Sequence, residues 1–219
     1  MIDEEYDDPS QYAWLIASLE ARRRQAFIAA TAAATTGSAE EFVPHFPVLV
    51  SQTVVIPYAK TDEGQLIKAA TFPLDAIIER ILKEPSLMYE VDPRTWEEII
   101  AATYDESGLF DEVTLTRRSG DRGRDVIAVK KGFGSVRLIE SVKRYTPGTK
   151  TTAEEVQALL GVLLSDPQAS KGIVSTTWEF APKILENPQI TQYIPHRLEL
   201  LDGKALVKRL KEYTTPKNK

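Results

Sequence analysis

The chain has no cysteine among its 219 residues and only two histidines, His45 and His196. The first absence excludes disulfides, thiolate nucleophiles and cysteine-based zinc sites. The second leaves too little imidazole for a multi-histidine metal centre or a histidine-centred relay; His196, following Pro195, reads as structural or solvated. A catalytic metal would have to rest on carboxylates, which favours hard cations such as Mg2+ or Mn2+. Also missing is any charge-free apolar run of about 18 residues, so no membrane span is expected. The first residues are acidic (Asp3, Glu4, Glu5, Asp7, Asp8) with no apolar run behind them, unlike a secretory leader. A cytoplasmic location is the expectation.

What is present is ordinary for a globular protein: 42% hydrophobic and 27% charged residues. The length suits one sizeable domain, or a core with a small N-terminal appendage. The net charge of -5 is unevenly spread: residues 1–114 hold 8 Lys and Arg against 21 Asp and Glu, whereas residues 115–150 hold 10 against 3. Such a basic stretch attracts phosphates even in an acidic protein, because screening limits the reach of distant acids to about 8–10 Å.

The order of elements is readable from periodicity and breakers. A helix is expected over residues 11–35, with Arg22, Arg23 and Arg24 as a solvated face or, alternatively, a DNA- or partner-contacting one. Val48 to Tyr58 reads as a strand, residues 61–64 as a turn, Gln65 to Phe72 as a returning strand, and Pro73 to Lys83 as a helix. A domain boundary is expected near Tyr89, dividing the chain into an N-terminal helix, hairpin and helix region (1–90) and a second domain (91–215). Beyond Pro93 the expectation is a helix to Asp105, strands at 111–117, 125–129 and 136–145, a helix opened by the capping box Thr152/Glu155, a strand at 171–177, a short helix, a strand at 197–201 and a closing helix. Three successive strands, a helix and a further strand imply an α/β fold with a mixed central sheet flanked by helices.

Asp125 on the second of these strands and Lys143 on the third form the central pair. Phosphodiester hydrolysis needs a metal to polarise the phosphate and activate water, and a cation near the developing charge. A period of two puts Ser141, Lys143 and Tyr145 on one strand face and Leu138, Glu140 and Val142 on the other. Read alone, these residues could equally be surface charges, Glu97 a first-turn helix acid, and Arg117, Arg118, Arg122 and Arg124 solvated loop charges.

Several spaced motifs resemble one family. Trp96-Glu97, Gly120-Asp-Arg-Gly-Arg-Asp125, Ser141-Val-Lys-Arg-Tyr145, Leu159-Leu-Gly161 and Lys171-Gly-Ile-Val-Ser-Thr-Thr-Trp-Glu-Phe180 follow, in order, the run seen in Mrr-like members of the PD-(D/E)xK nucleases. The resemblance spans about Pro93 to Tyr213 and implies a restriction-endonuclease-like αβββαβ core. It implies Asp125 as metal-binding acid, Lys143 as catalytic lysine and Glu97 as supporting helix acid, with Asp121 matching the first Asp of the loop motif. It also implies Mg2+ (or Mn2+) as cofactor and DNA as partner, contacted by Arg117, Arg118, Arg122, Arg124, Lys130, Lys131 and Arg144. Ser141 departs from the family, which has Glu or Gln there. Glu140 could supply the missing oxygen only if the strand were bulged or the acid reached around. The expectation is a metal-dependent DNA endonuclease, plausibly serving restriction or defence against foreign DNA. The alternatives are a weak or inactive nuclease fold that binds DNA or a partner protein, and a nuclease module in a larger assembly. Residues 1–90 are expected to serve self-association or docking.

Overall fold

The computed structural model describes residues 46–117 and 123–214. The expected helix over residues 11–35, His45, and the loop residues Arg118, Asp121 and Arg122 lie outside them. In chain order the elements are α1 (Phe46–Val50), β1 (Val55–Lys60), β2 (Gly64–Ala69), α2 (Thr71–Lys83), a 3-10 turn (Pro85–Tyr89), α3 (Pro93–Glu106), β3 (Glu112–Thr116), β4 (Val126–Lys130), β5 (Val136–Lys143), α4 (Ala153–Ser165), β6 (Lys171–Thr176), a 3-10 turn (Pro182–Glu186), α5 (Pro188–Thr191), β7 (Leu198–Leu201) and α6 (Gly203–Thr214).

The seven strands form one mixed sheet in the spatial order β1-β2-β3-β4-β5-β6-β7. Pairing is antiparallel from β1 to β5 and parallel from β5 to β7. Helices cover both faces. Val113, Leu115, Val126, Ala128, Leu138, Val142 and Ile173 join a core with residues of α2, α3 and α6. The alternate residues Ile127, Ile139 and Val174 join a second core with α4 and α5. This is the mixed, helix-flanked sheet expected from the element order. No helix among the described residues is long and apolar enough to cross a membrane.

The helices that frame the site are well specified locally. At α3, Asp92 accepts hydrogen bonds from the amides of Arg94 and Thr95, and Pro93 occupies the first turn. At α4, Thr152 and Glu155 form the reciprocal capping box.

Two expectations are corrected. The run read as a strand from Val48 begins as helix α1, and β1 starts only at Val55; burial of Phe46 and Leu49 against the α2 side of the core overrides the β-branched composition. Residues 46–90 are also not a separate unit. β2 pairs with β3, extending the same sheet, and Phe46, Leu74 and Ile81 share one core with Trp96, Ile173 and Leu206. Gly64 makes that joint: a Cβ there would lie 2.2 Å from the Leu115 carbonyl oxygen, so only glycine allows β2 to start this close to β3.

Candidate active site

Thr116 closes β3, Asp125 immediately precedes β4 and Lys143 closes β5, so antiparallel pairing gathers the three at one end of the sheet. The first turn of α3 meets this end, where Arg94 donates to the Thr116 carbonyl at 3.1 Å.

Asp125 is 9% exposed and held at three points. Its amide donates to the Glu140 carbonyl at 2.8 Å, and its carbonyl accepts the Thr116 amide at 3.1 Å. Its carboxylate Oδ2 accepts the Val142 amide at 2.6 Å, so the acid lies across onto the strand that carries Lys143. Because Val126 pairs with Glu140, Asp125 stands opposite Ser141, and the alternation that sends Ile139 toward α4 sends Ser141 and Lys143 to that same face. Asp125, Ser141 and Lys143 are therefore brought together. Ser141 is buried and Lys143 half-buried, and Lys143 has no ion pair among the described residues.

Glu140 is not brought into this group. β5 keeps register with β4 and β6 without a bulge, so Glu140 points to the opposite face, 1% exposed. There the Tyr104 hydroxyl donates to its carboxylate, beside a cavity of about 10 Å3 that Arg209 and Tyr213 also line. Burial pushes the Glu140 carboxyl up to about 7, against the pull of the Ser175 and Tyr104 hydroxyls and the Arg209 charge; the nearby Asp125 charge adds to the rise. A carboxyl so placed does not supply the oxygen missing at Ser141.

Glu97 sits in the first turn of α3, bonded to Arg94 at 2.6 Å, at the same end of the sheet as Asp125. Its carboxylate and that of Asp125 are hard oxygen donors. Among the described residues no group of three acids or histidines could hold a metal. Two carboxylates nonetheless fit Mg2+, which keeps several waters and often takes only one or two protein carboxylates together with substrate phosphate.

Most of the expected basic surface is engaged within the protein. Arg124 and Arg137 both pair with Glu63 and Asp166, tying the β1–β2 turn to the end of α4. The Arg144 guanidinium donates to the backbone carbonyls of Tyr89 and Val91. Lys130 and Lys131 stand at the far end of β4 from Asp125, paired with Asp111 and Glu112. Arg117 alone of the described candidates is exposed at the Asp125 end, within 3.5 Å of the Thr61 carbonyl.

The geometry adds two residues that the motifs did not single out. Arg94 joins Glu97 to β3, and Thr116 joins β3 to the backbone of Arg124 and Asp125. Neither carries a local signal: a threonine ending an alternating strand and an arginine in a first helical turn are both commonplace.

Comparison with known proteins bears on the whole of this region. A restriction endonuclease family model (Mrr catalytic domain) matches residues 88–210. Among solved structures, the chain is similar to the DNA modification-dependent restriction endonuclease AspBHI (20% identity, TM-score 0.42, covering 64% of this chain and 34% of that one). It is also similar to the MspJI restriction endonuclease in complex with a 27-mer oligonucleotide (18% identity, TM-score 0.44, covering 64% of this chain and 33% of that one). The chain thus spans about a third of the length of either structure. No curated protein matches it.

Proposed function

The chain belongs to the Mrr catalytic-domain family of restriction endonucleases, and from this we propose that it is a metal-dependent DNA endonuclease, serving restriction of or defence against foreign DNA. The observation that carries the reading is the shared face of Asp125, Ser141 and Lys143, with the Asp125 carboxylate docked on the Val142 amide beside Lys143. In this reading Asp125 and Glu97 hold one Mg2+ or Mn2+, which polarises the scissile phosphate and eases ionisation of water. Lys143 directs its ammonium toward the attacking water and the charge developing on the phosphate. Arg117 contacts a backbone phosphate, which fixes register without reading sequence.

The test is cleavage of plasmid DNA with Mg2+ or Mn2+. Asp125→Ala and Lys143→Ala should each lose cleavage, whereas Lys130→Ala at the far end of the sheet should not. Undiminished cleavage by Asp125→Ala would sink the assigned site.

A second reading, a weak or inactive nuclease fold that binds DNA or a partner, is favoured by one feature: Ser141 occupies the vacant ligand position and Glu140 is turned away from it. Ser141→Glu returns a carboxylate to the face of Lys143. Under the first reading it raises an activity already present. Under the second, the parent is silent, and cleavage by the variant marks a decayed catalytic site.

A further inference from the structure

Thr116 is 2% exposed, and its polar atoms converge on the residues that lead into β4. Its hydroxyl donates to the Arg124 carbonyl at 2.6 Å, with the Asp125 carbonyl at 3.1 Å, and its amide also donates to the Asp125 carbonyl at 3.1 Å. Its own carbonyl accepts from Arg94, which pairs with Glu97. One residue thus connects the backbone of Asp125 to the helix acid across the end of β3. Asp125 itself precedes the first ladder residue of β4, Val126, so the ordinary strand pairing does not extend to fix it.

We infer that Thr116 is a positioning residue: its hydroxyl fixes the Arg124–Asp125 backbone so that the Asp125 carboxylate lies on the Val142 amide and faces the metal position. The inference rests on the proposed nuclease reading for the purpose of that placement, but the placement has its own readout. A carboxylate accepting the Val142 amide protects it from hydrogen exchange whether or not metal binds. Loss of the hydroxyl leaves the Arg124 carbonyl without this donor and frees the turn into β4. Outer partners of metal-binding groups commonly change metal affinity by about 10–100-fold when removed.

The experiment compares the full-length parent, Thr116→Val and Thr116→Ser. It measures Mn2+ affinity by calorimetry and exchange of the Val142 amide by NMR, with the Ile67 amide in β2 as an internal reference. Thr116→Val keeps the shape and removes the hydroxyl. It should bind Mn2+ about tenfold more weakly and expose the Val142 amide, while Ile67 exchange stays unchanged. Thr116→Ser keeps the hydroxyl and should match the parent within about twofold. Parent-like values in Thr116→Val overturn the inference, and so does a loss in Thr116→Ser as large as in Thr116→Val, because packing would then be the cause. If Thr116→Val does not fold, Thr116→Ser decides: protection of Val142 and parent-like affinity support the role, and their loss overturns it. If the parent binds no Mn2+ yet Val142 protection falls only in Thr116→Val, the metal reading fails and the positioning of Asp125 stands.

Discussion

At Glu140 a carboxyl group is closed off from water beside a tyrosine hydroxyl, one residue from the position where the family carries its second acid. Its value of about 7 in the folded chain lies above the ordinary 4.5. The native state therefore keeps a proton that the unfolded chain releases, and stability falls as pH rises from about 4.5 to about 7 and levels off above. Removing the ionisable group in Glu140→Gln should flatten that fall and leave the variant the more stable at about pH 8, by no more than roughly 3 kcal/mol. Urea unfolding across this range in metal-free buffer measures it; parallel profiles for parent and variant would show that Glu140 does not titrate in the window. The same variant should leave Mn2+ affinity near that of the parent, in contrast to Asp125→Ala. The face of Glu140 was legible in the sequence, since period-two alternation on β5 separates it from Ser141 and Lys143. Its partner was not: Tyr104 lies 36 residues away, and no local pattern announces that a helix tyrosine will meet a strand acid.

Elements with their own start signals were the readable ones. Residues 93–106 and 153–165 carry caps at Asp92 and Thr152 and bury apolar residues at helical spacing, and both helices form where expected. The hairpin of β1 and β2 was readable as a hairpin, but its attachment was not, because the β2–β3 pairing joins residues about fifty positions apart. That attachment has a stability consequence. Gly64→Ala forces a methyl group against the Leu115 backbone and should cost about 1–3 kcal/mol, measured by thermal or urea unfolding. A chain truncated to begin near Leu87 loses α1, β1, β2 and α2 together with their share of the core, and leaves the β3 edge unpaired. It should be insoluble or lack a cooperative transition by circular dichroism. A soluble, cooperatively folding fragment would restore the division into two units.

Over the molecule as a whole, the positive charge of residues 115–150 does not collect on one surface. Strand geometry carries Lys130 and Lys131 to the end opposite Asp125, and Arg124 and Arg144 are spent on internal partners. Of the seven cations expected at the DNA, no more than Arg117, Arg118 and Arg122 remain, with Lys143 as a fourth. The slope of log K for duplex DNA against log salt should then be about -4 or shallower, rather than about -6. Arg117→Ala should reduce its magnitude by about one, and Lys130→Ala should leave it unchanged. A slope near -6 that falls on removing Lys130 or Lys131 would restore the broad basic surface. The sheet bears on how the chain is made as well as on what it binds. Its seven strands lie in space in the order in which they occur along the chain. No strand has to be inserted between two already paired, so a chain leaving the ribosome can lay each strand against the one before it, and the acid and lysine of the site meet as soon as β5 has emerged.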